Sequence, residues 1–245
     1  MIEPGITGWL TAIVFLPIVG ALLIVLICRE KKHVRLFAAV IAFIELFLAI
    51  AVFSMYQTDS GSRYQLVDLV QPWISIDGFT VQYFLGVDGL SVPLVLLTGL
   101  LGVVAIFASW NIDHRVKEHF VCLLVLQTSV MGVFTSLDFL LFFFFWELEL
   151  LPMFLLISMW GSGRSEYSAM KFLIFTILGS AFMLVGILAI FFSTGTFDMT
   201  ALPGEIQIAT LILPAGVIFA MLFIGFAVKL PVWPLHSWLP DAHTC

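Results

Sequence analysis

The chain has 245 residues, of which 62% are hydrophobic and only 11% are charged, and its formal net charge is −6. Soluble globular domains carry about 25% charged residues, so this sequence cannot cover a water-facing surface of its size. The composition predicts an integral membrane protein and gives no reason to expect a nucleic-acid partner. The three cysteines are far apart and form no CxxC pair, so nothing predicts a zinc site, an iron–sulfur site or a disulfide framework.

Apolar runs long enough to cross a bilayer recur along the whole sequence. A hydrocarbon core about 30 Å thick needs about 20 apolar residues per helix. We therefore predict an all-α polytopic membrane protein with seven transmembrane segments, at residues 9–28, 34–55, 89–110, 120–136, 139–160, 169–193 and 208–238.

The loops between these segments alternate in charge. Basic residues occur in the first, third and fifth loops, at 29–35, 115–117 and 164, whereas the other loops are mainly acidic. Because Lys and Arg in short loops mark the cytoplasmic side, we predict that the N-terminus lies outside. In the loop 56–88, the pair Asp77-Gly78 separates two runs of strand-forming residues. This pattern predicts a small external β-hairpin between the second and third helices.

Two glutamates lie inside the fifth segment. A charged side chain at mid-bilayer costs at least about 2.5–3.5 kcal/mol, so such residues need a partner or a function. Glu147 lies near the midplane, and Glu149 points about 160° away from it on a helix, so the two cannot share one site. Pro152 leaves the carbonyl of Leu148 without its helical partner, which is a place for water. We favour a proton-transfer role for Glu147 over a structural ion pair; for Glu149 both roles remain open.

Lys229 lies in the last segment, just before Pro231 and Pro234. As a single helix, residues 208–238 would be about 46 Å long at 1.5 Å per residue, which is too long for one straight crossing. Because prolines interrupt helical hydrogen bonds, we predict a break near 229–234. Broken membrane helices line wet cavities or ion sites. We therefore interpret Lys229 as functional rather than as a side chain that extends to the membrane surface.

Other polar residues in or near the segments have more than one interpretation. His236 and His243 are two helical turns apart and suit proton relay, but a capping or interface role is also open. Lys171 either reaches the cytoplasmic face or pairs inward with an acid, and a relay role stays open for it. Glu45 either pairs with a neighbouring subunit or is protonated, and Asp138 is predicted to cap the fifth helix.

Three runs carry a resemblance to a known family. They are Phe-Phe-Phe-Phe-Trp-Glu-Leu-Glu-Leu-Leu-Pro near residue 147, Phe-Ala-Val-Lys-Leu-Pro-Val-Trp-Pro-Leu-His-Ser-Trp-Leu-Pro-Asp-Ala-His near residue 229, and Val-Asp-Gly-Leu-Ser at 87–91. They resemble the antiporter-like membrane subunits of complex I, NADH:quinone oxidoreductase. The form Lys-Leu-Pro-x-x-Pro-Leu-His is similar to the M-type subunit, chain 4, and to its counterpart, the D subunit of the photosynthetic NDH complex.

The resemblance implies an organisation and a site. It covers the N-terminal half of such a subunit, in which a three-helix region (1–118, with the loop 56–88) precedes a first antiporter-like repeat (119–245), which is incomplete here. It also implies that Glu147 pairs with Lys229 at one end of a buried polar axis. No redox-active or metal site is expected in this subunit itself, and the flavin and iron–sulfur clusters are expected in partner subunits.

The function implied is proton translocation in the membrane arm of a respiratory NADH:quinone oxidoreductase. The expected partners are other membrane subunits, especially neighbouring antiporter-like chains, and the lipid bilayer. The expected location is a bacterial inner membrane, with the thylakoid membrane as the alternative. A subunit of a cation/proton antiporter, a related membrane-bound hydrogenase and a purely structural membrane protein remain as rival interpretations.

Overall fold

The structure is a computed structural model that describes residues 5–58, 61–76 and 79–243. The described residues form three strands and ten helices. In sequence order these are β1 (Gly5–Ile6), α1 (Trp9–Ile27), α2 (Lys31–Met55), β2 (Gln65–Ile76), β3 (Phe79–Val87), α3 (Ser91–Ala108), α4 (Val116–Thr135), α5 (Phe139–Leu148), α6 (Leu150–Trp160), α7 (Ser165–Thr194), α8 (Leu202–Ile208), α9 (Ala215–Lys229) and α10 (Trp238–His243).

Six helical segments of the described residues are long and apolar enough to cross a membrane, and α9 is a shorter apolar helix. One of the six is Phe139–Trp160, which comprises α5 and α6 together. The predicted all-α polytopic fold is thus confirmed. The helices α4 and α7 begin four residues earlier than predicted, at Val116 and Ser165. Their first turns carry Glu118 and Glu166, and acidic side chains stabilise a helix N-terminus.

The last apolar segment differs most from the prediction. We predicted that it begins at Ile208, but α8 ends there and α9 begins at Ala215, directly after Pro214. Pro214 has φ −53° and ψ 136°. Proline suits the start of a helix because its ring fixes φ near this value and because a residue there needs no amide hydrogen for a helical hydrogen bond. The helical part of this segment therefore runs from Ala215 to Lys229 only.

The predicted hairpin is present as β2 and β3, which are neighbours in a three-stranded sheet with the order β1-β2-β3. Its predicted turn, Asp77-Gly78, lies outside the described residues. The strand β1 was not predicted, because two residues are too few to show an alternating pattern. It pairs antiparallel with β2, with Ile6 opposite Asp68. The side of the membrane on which the sheet lies stays a prediction.

The sheet also holds the start of α1, through Asp68. This side chain is fully buried, and its two oxygens accept hydrogen bonds at 2.7–2.8 Å from the amide of Gly8, the hydroxyl of Thr7, and the amide and hydroxyl of Thr11. Burial alone would raise the pKa of Asp68, but these hydrogen bonds outweigh it and lower the pKa. Asp68 thus caps a helix that lacks a capping side chain of its own.

Two compact units make up the fold. The first unit comprises Met1–Gln71, Tyr83–Leu137 and Phe144–Pro152, and the second comprises Pro72–Gln82, Asp138–Phe143 and Met153–Cys245. The first unit contains α1 to α4 around an apolar core, and the second contains α7 to α10. The division that we predicted between residues 118 and 119 stays a prediction.

Candidate functional site

The fifth transmembrane segment is interrupted where the two glutamates lie. The helix α5 ends at Leu148, α6 begins at Leu150, and Glu149 lies between them. Pro152 explains the interruption, because its ring clashes with the carbonyl four residues earlier and it has no amide hydrogen to donate. Glu147 therefore lies in the last turn of α5, next to an irregular stretch of backbone.

Close packing against α4 positions this part of α5 in the first unit. The ring of Phe145 lies directly over Gly132, where an added Cβ atom would collide with it. Two residues later, Glu147 is partly buried, and its Oε1 atom is enclosed without a hydrogen-bond partner among the described residues. An enclosed carboxylate oxygen needs a donor, and an internal water molecule is the simplest one. Glu149 is also partly buried.

The start of α5 is held by Asp138, as predicted. Its Oδ1 accepts hydrogen bonds from the amides of Leu140 and Leu141 at 2.9 and 3.0 Å, and its Oδ2 accepts one from the amide of Gln82 at 3.1 Å. Burial raises the pKa of Asp138; these bonds oppose the shift, and the nearby carboxyl of Asp198 adds to it. Asp138 therefore caps α5, and its carboxyl group takes up a proton more readily than that of an ordinary aspartate.

The predicted break after Lys229 is confirmed in the second unit. The helix α9 ends at Lys229, which is partly buried, and α10 begins only at Trp238. The carbonyl of Ala227 is not left unsatisfied, since it accepts a hydrogen bond from the amide of Val232 at 2.9 Å. The indole of Trp238 donates to the carbonyl of Val228 at 2.8 Å. These two bonds fold the backbone back over the end of α9.

Small residues let α9 approach α7 closely enough to fix the position of this break. A Cβ atom at Gly179 of α7 would lie 2.8 Å from Val228, and one at Gly225 of α9 would lie 2.6 Å from Met183. Real Cβ atoms do not approach so closely, so both positions need glycine. Membrane helices commonly pack through such small residues.

Lys171 of α7 binds the segment after the break. Its ammonium donates to a carboxylate oxygen of Asp241 at 2.6 Å and to the carbonyl of Ser237 at 2.7 Å. Pairing with an acid is observed, at a contact where the side chains of Lys171 and Asp241 are 22% and 40% exposed; whether the pair lies inward or at the cytoplasmic face stays a prediction. Asp241 and Ser237 were not predicted as its partners, because they lie 70 and 66 residues away in the sequence and no local pattern links them.

The structure describes the side chain of only one of the two histidines in this segment. His236 is exposed, and the side chain of His243 lies outside the described residues. Their relay roles stay predictions, as do those of Glu149 and Lys171. The pairing of Glu147, in the first unit, with Lys229, in the second, also stays a prediction. Among the described residues, no group of three or more His, Cys, Asp or Glu side chains is placed to hold a metal ion.

The sequence is similar to one family of membrane proteins and to several known proteins. The family described as NADH:quinone oxidoreductase/Mrp antiporter, transmembrane region, matches residues 136–245. NAD(P)H-quinone oxidoreductase chain 4 proteins of Thermosynechococcus vestitus and Trichormus variabilis are 42% and 43% identical to this chain over 96% of it. The chain spans only 44% and 43% of the length of these two relatives.

Solved structures agree with the sequence relatives. A chain of respiratory complex I from Thermus thermophilus with bound NADH superimposes with a TM-score of 0.80 and 25% identity, covering 96% of this chain and 46% of the other. A chain of an archaeal membrane-bound sulfane sulfur reductase gives a TM-score of 0.77 at 20% identity, over 96% of this chain and 47% of that one, and so shares the fold. Residues 136–245 thus match the NADH:quinone oxidoreductase/Mrp antiporter transmembrane family, and the chain is similar, over 96% of its own length, to part of the chain 4 proteins.

Proposed function

We propose that this chain is a proton-translocating membrane-arm subunit of an NAD(P)H:quinone oxidoreductase and carries out no redox chemistry of its own. The observation that carries the proposal is that α9 ends at Lys229 within an apolar membrane segment, in a chain that is similar to chain 4 proteins. A lysine at such a break needs a counter-charge, and Glu147 is the candidate. Both residues adjoin interrupted helices, where internal water is tolerated.

The proposed mechanism is electrostatic. Protonated Lys229 stabilises ionised Glu147 while the two are close. Two unit charges about 4 Å apart at an effective dielectric constant near 20 interact by about 4 kcal/mol, which changes the proton affinity of either group about a thousandfold. When a charge moves in a neighbouring subunit and weakens the pair, Lys229 passes its proton along the polar axis. Glu147 is then reprotonated, and the cycle can repeat.

The contact of Lys171 with Asp241 fixes the position of the segment that follows Lys229. It ties the segment that follows the break to α7, so Lys171 acts as a positioning residue for Lys229. We propose His236 and His243 as relay groups beyond Lys229, because both follow the break. Glu149, in the interruption of the fifth segment, is the alternative carboxylate for the role of Glu147.

The setting follows from the same proposal. The partners are neighbouring antiporter-like subunits and the other membrane subunits of the complex. Electron transfer through flavin and iron–sulfur clusters takes place in the partner subunits. The proposed membrane is a bacterial plasma membrane, with the thylakoid membrane as the alternative.

The test is to separate pumping from electron transfer in the assembled complex. Glu147→Gln keeps the shape of the side chain and removes its charge, so proton pumping should fall strongly while the complex still assembles. The readout is quenching of a pH-sensitive dye in vesicles, measured beside quinone reduction. Glu166→Gln is the matched control, because Glu166 is exposed in the first turn of α7. Normal pumping in both Glu147→Gln and the double variant with Glu149→Gln would refute the assignment.

Substitutions of Lys229 separate proton transfer from ion pairing. Lys229→Ala strands a buried carboxylate, which then takes up a proton, and the variant should assemble without pumping. Lys229→Arg should restore little, because a guanidinium keeps its proton at any working pH. If arginine restores full pumping, Lys229 is an electrostatic anchor and the relay is wrong. A response to sodium gradients instead of proton gradients would favour the cation antiporters that share this family's description.

A further inference from the structure

Glu45 is a buried carboxyl group that the proposed function does not use. It lies in the middle of α2 with an exposed fraction of 0%, and both of its carboxyl oxygens lack a hydrogen-bond partner among the described residues. An unpaired ionised carboxylate in such a place would cost many kcal/mol. A neutral carboxyl group without partners would still cost the free energy of its unmade hydrogen bonds.

Gln127 of α4 is a second buried polar side chain with an unsatisfied atom. It is 6% exposed, and its Nε2 atom is enclosed without a partner in the part of the protein that the structure describes. The amide lies over Gly102 of α3, where a Cβ atom would collide with it. The absence of a side chain at Gly102 therefore makes the space that Gln127 occupies.

The packing of α2 and α4 brings these two residues to facing positions. Ala38 and Ala42 of α2 share one apolar core cluster with Phe120 and Leu124 of α4. Residues three or four apart lie on one face of a helix, so Glu45 is the next member of the first row and Gln127 is the next member of the second. The helices α2 and α4 run in the same direction, because each of them packs antiparallel to α3.

The contacts of α3 independently place Glu45 and Gln127 at the same height along the helix axes. Gly99 of α3 faces Ala49, one turn beyond Glu45 on α2. Since α2 and α3 are antiparallel, Glu45 is level with the next turn of α3. That turn contains Gly102, over which the amide of Gln127 lies. Glu45 and Gln127 therefore meet the same turn of α3.

No counter-ion is placed at this level by the described helices of the first unit. The helices α1 and α3 contain no ionisable side chain. Apart from Glu45, the ionisable side chains of α2 lie in its first two turns, at 31–35. The ionisable side chains of α4 lie at 117–122. Glu147 adjoins α4 through the contact of Phe145 with Gly132, about 140° around that helix from Gln127. The chemistry at Glu45 is therefore that of a carboxyl group and an amide, without an ion pair.

We propose that Glu45 and Gln127 form a buried site that binds a proton and at least one water molecule, separate from the pair Glu147 and Lys229. The proton resides on Glu45. The water accepts a hydrogen bond from Nε2 of Gln127 and donates one to the carboxyl group of Glu45, and this supplies the partners that a buried water needs. A partly open cavity of about 200 Å³ between α3 and α4, lined mainly by apolar residues and by Thr98 and Gln127, adjoins the amide.

Infrared difference spectra between the assembled wild-type complex and its variants test this directly. At neutral pH the complex should show a carbonyl-stretch band of a protonated carboxylic acid that Glu45→Gln removes. Gln127→Leu should shift that band to higher frequency, because the carboxyl group loses its hydrogen-bonded water. The band should also shift in D₂O, since water reaches the proton. Glu118→Gln, at an exposed glutamate of α4, should leave it unchanged.

The outcomes are decisive without any measurement of pumping, so the site can fail while the proposed function stands. Absence of a band that depends on Glu45 would mean that Glu45 is ionised, and would overturn the proposal. A band unaffected by Gln127→Leu or by D₂O would overturn the shared water site. If Glu45→Gln does not accumulate, Glu45→Asp keeps the carboxyl group and must shift the band in its place; an unshifted band would again contradict the proposal.

Discussion

Replacement of Asp68 by asparagine should destabilise the protein strongly. The carboxylate of Asp68 accepts four hydrogen bonds, two at each oxygen, from Thr7, Gly8 and Thr11. Asparagine offers one oxygen, and its amide group would face two donors in place of an acceptor. Each hydrogen bond to a charged group contributes about 1.5–3 kcal/mol, so the loss of two should cost about 3–6 kcal/mol. For a protein of this length that is a fall in Tm on the order of 10 °C.

The dependence on pH gives this prediction a second readout. The pKa of Asp68 is lower in the folded protein than its ordinary value. Its stabilisation is therefore fully present above the ordinary pKa of an aspartate and is lost as the pH falls through the folded-state pKa. The wild-type protein should lose Tm on acidification in this range, whereas Asp68→Asn should lose less.

The assay is thermal unfolding in lipid nanodiscs, followed by tryptophan fluorescence at several pH values. Asp113→Asn is the matched control, because its side chain is 78% exposed and pairs with Arg35 at the surface. Such a pair contributes at most about 1 kcal/mol. If Asp68→Asn melts at the wild-type temperature, or shows the same acid dependence as the wild type, the capping role assigned to Asp68 is wrong.

Two further predictions concern the second unit. Asp138→Asn should cost about 1.5–3 kcal/mol at neutral pH, because asparagine can still cap Leu140 and Leu141 but places its amide group opposite the amide of Gln82, so one hydrogen bond is lost. Since burial raises the pKa of Asp138, wild type should gain stability over the variant as the pH falls through that pKa, and a loss of Tm as large as that of Asp68→Asn would contradict the assignment. Lys171→Met should increase hydrogen–deuterium exchange in α10 by removing the contacts with Asp241 and Ser237, and unchanged exchange would show that other contacts hold α10.

Features that depend on one stretch of sequence could be predicted. The break after Lys229 follows from two prolines and from a segment too long for one crossing, and the cap at Asp138 follows from its place before an apolar run. The start of the last helix was predicted wrongly because apolar composition alone does not reveal that Pro214 sets the first turn.

Features that join distant parts of the sequence could not be predicted. Asp68 caps a helix that lies 57 to 61 residues earlier in the sequence, and no sequence pattern places a strand residue at the end of a particular helix. The contact between Lys171 and Asp241 spans 70 residues. Glu45 was recognisable as a buried carboxyl group, but the amide of Gln127 could be assigned to its level only once the packing of α2, α3 and α4 was known.

The hydrogen-bonding state of the buried polar groups separates structural from functional roles. Asp68 and Asp138 have their acceptors filled by donors of the same protein, as expected of groups that hold two elements together. In the first unit, Glu45, Gln127 and Glu147 each retain an enclosed atom without a partner among the described residues. Leaving such atoms unpaired would cost about 1–3 kcal/mol each, a loss that internal water removes. Proton transfer requires water beside a protonatable carboxyl group, and for this reason we propose Glu147 and Glu45 as the proton-binding groups of the first unit.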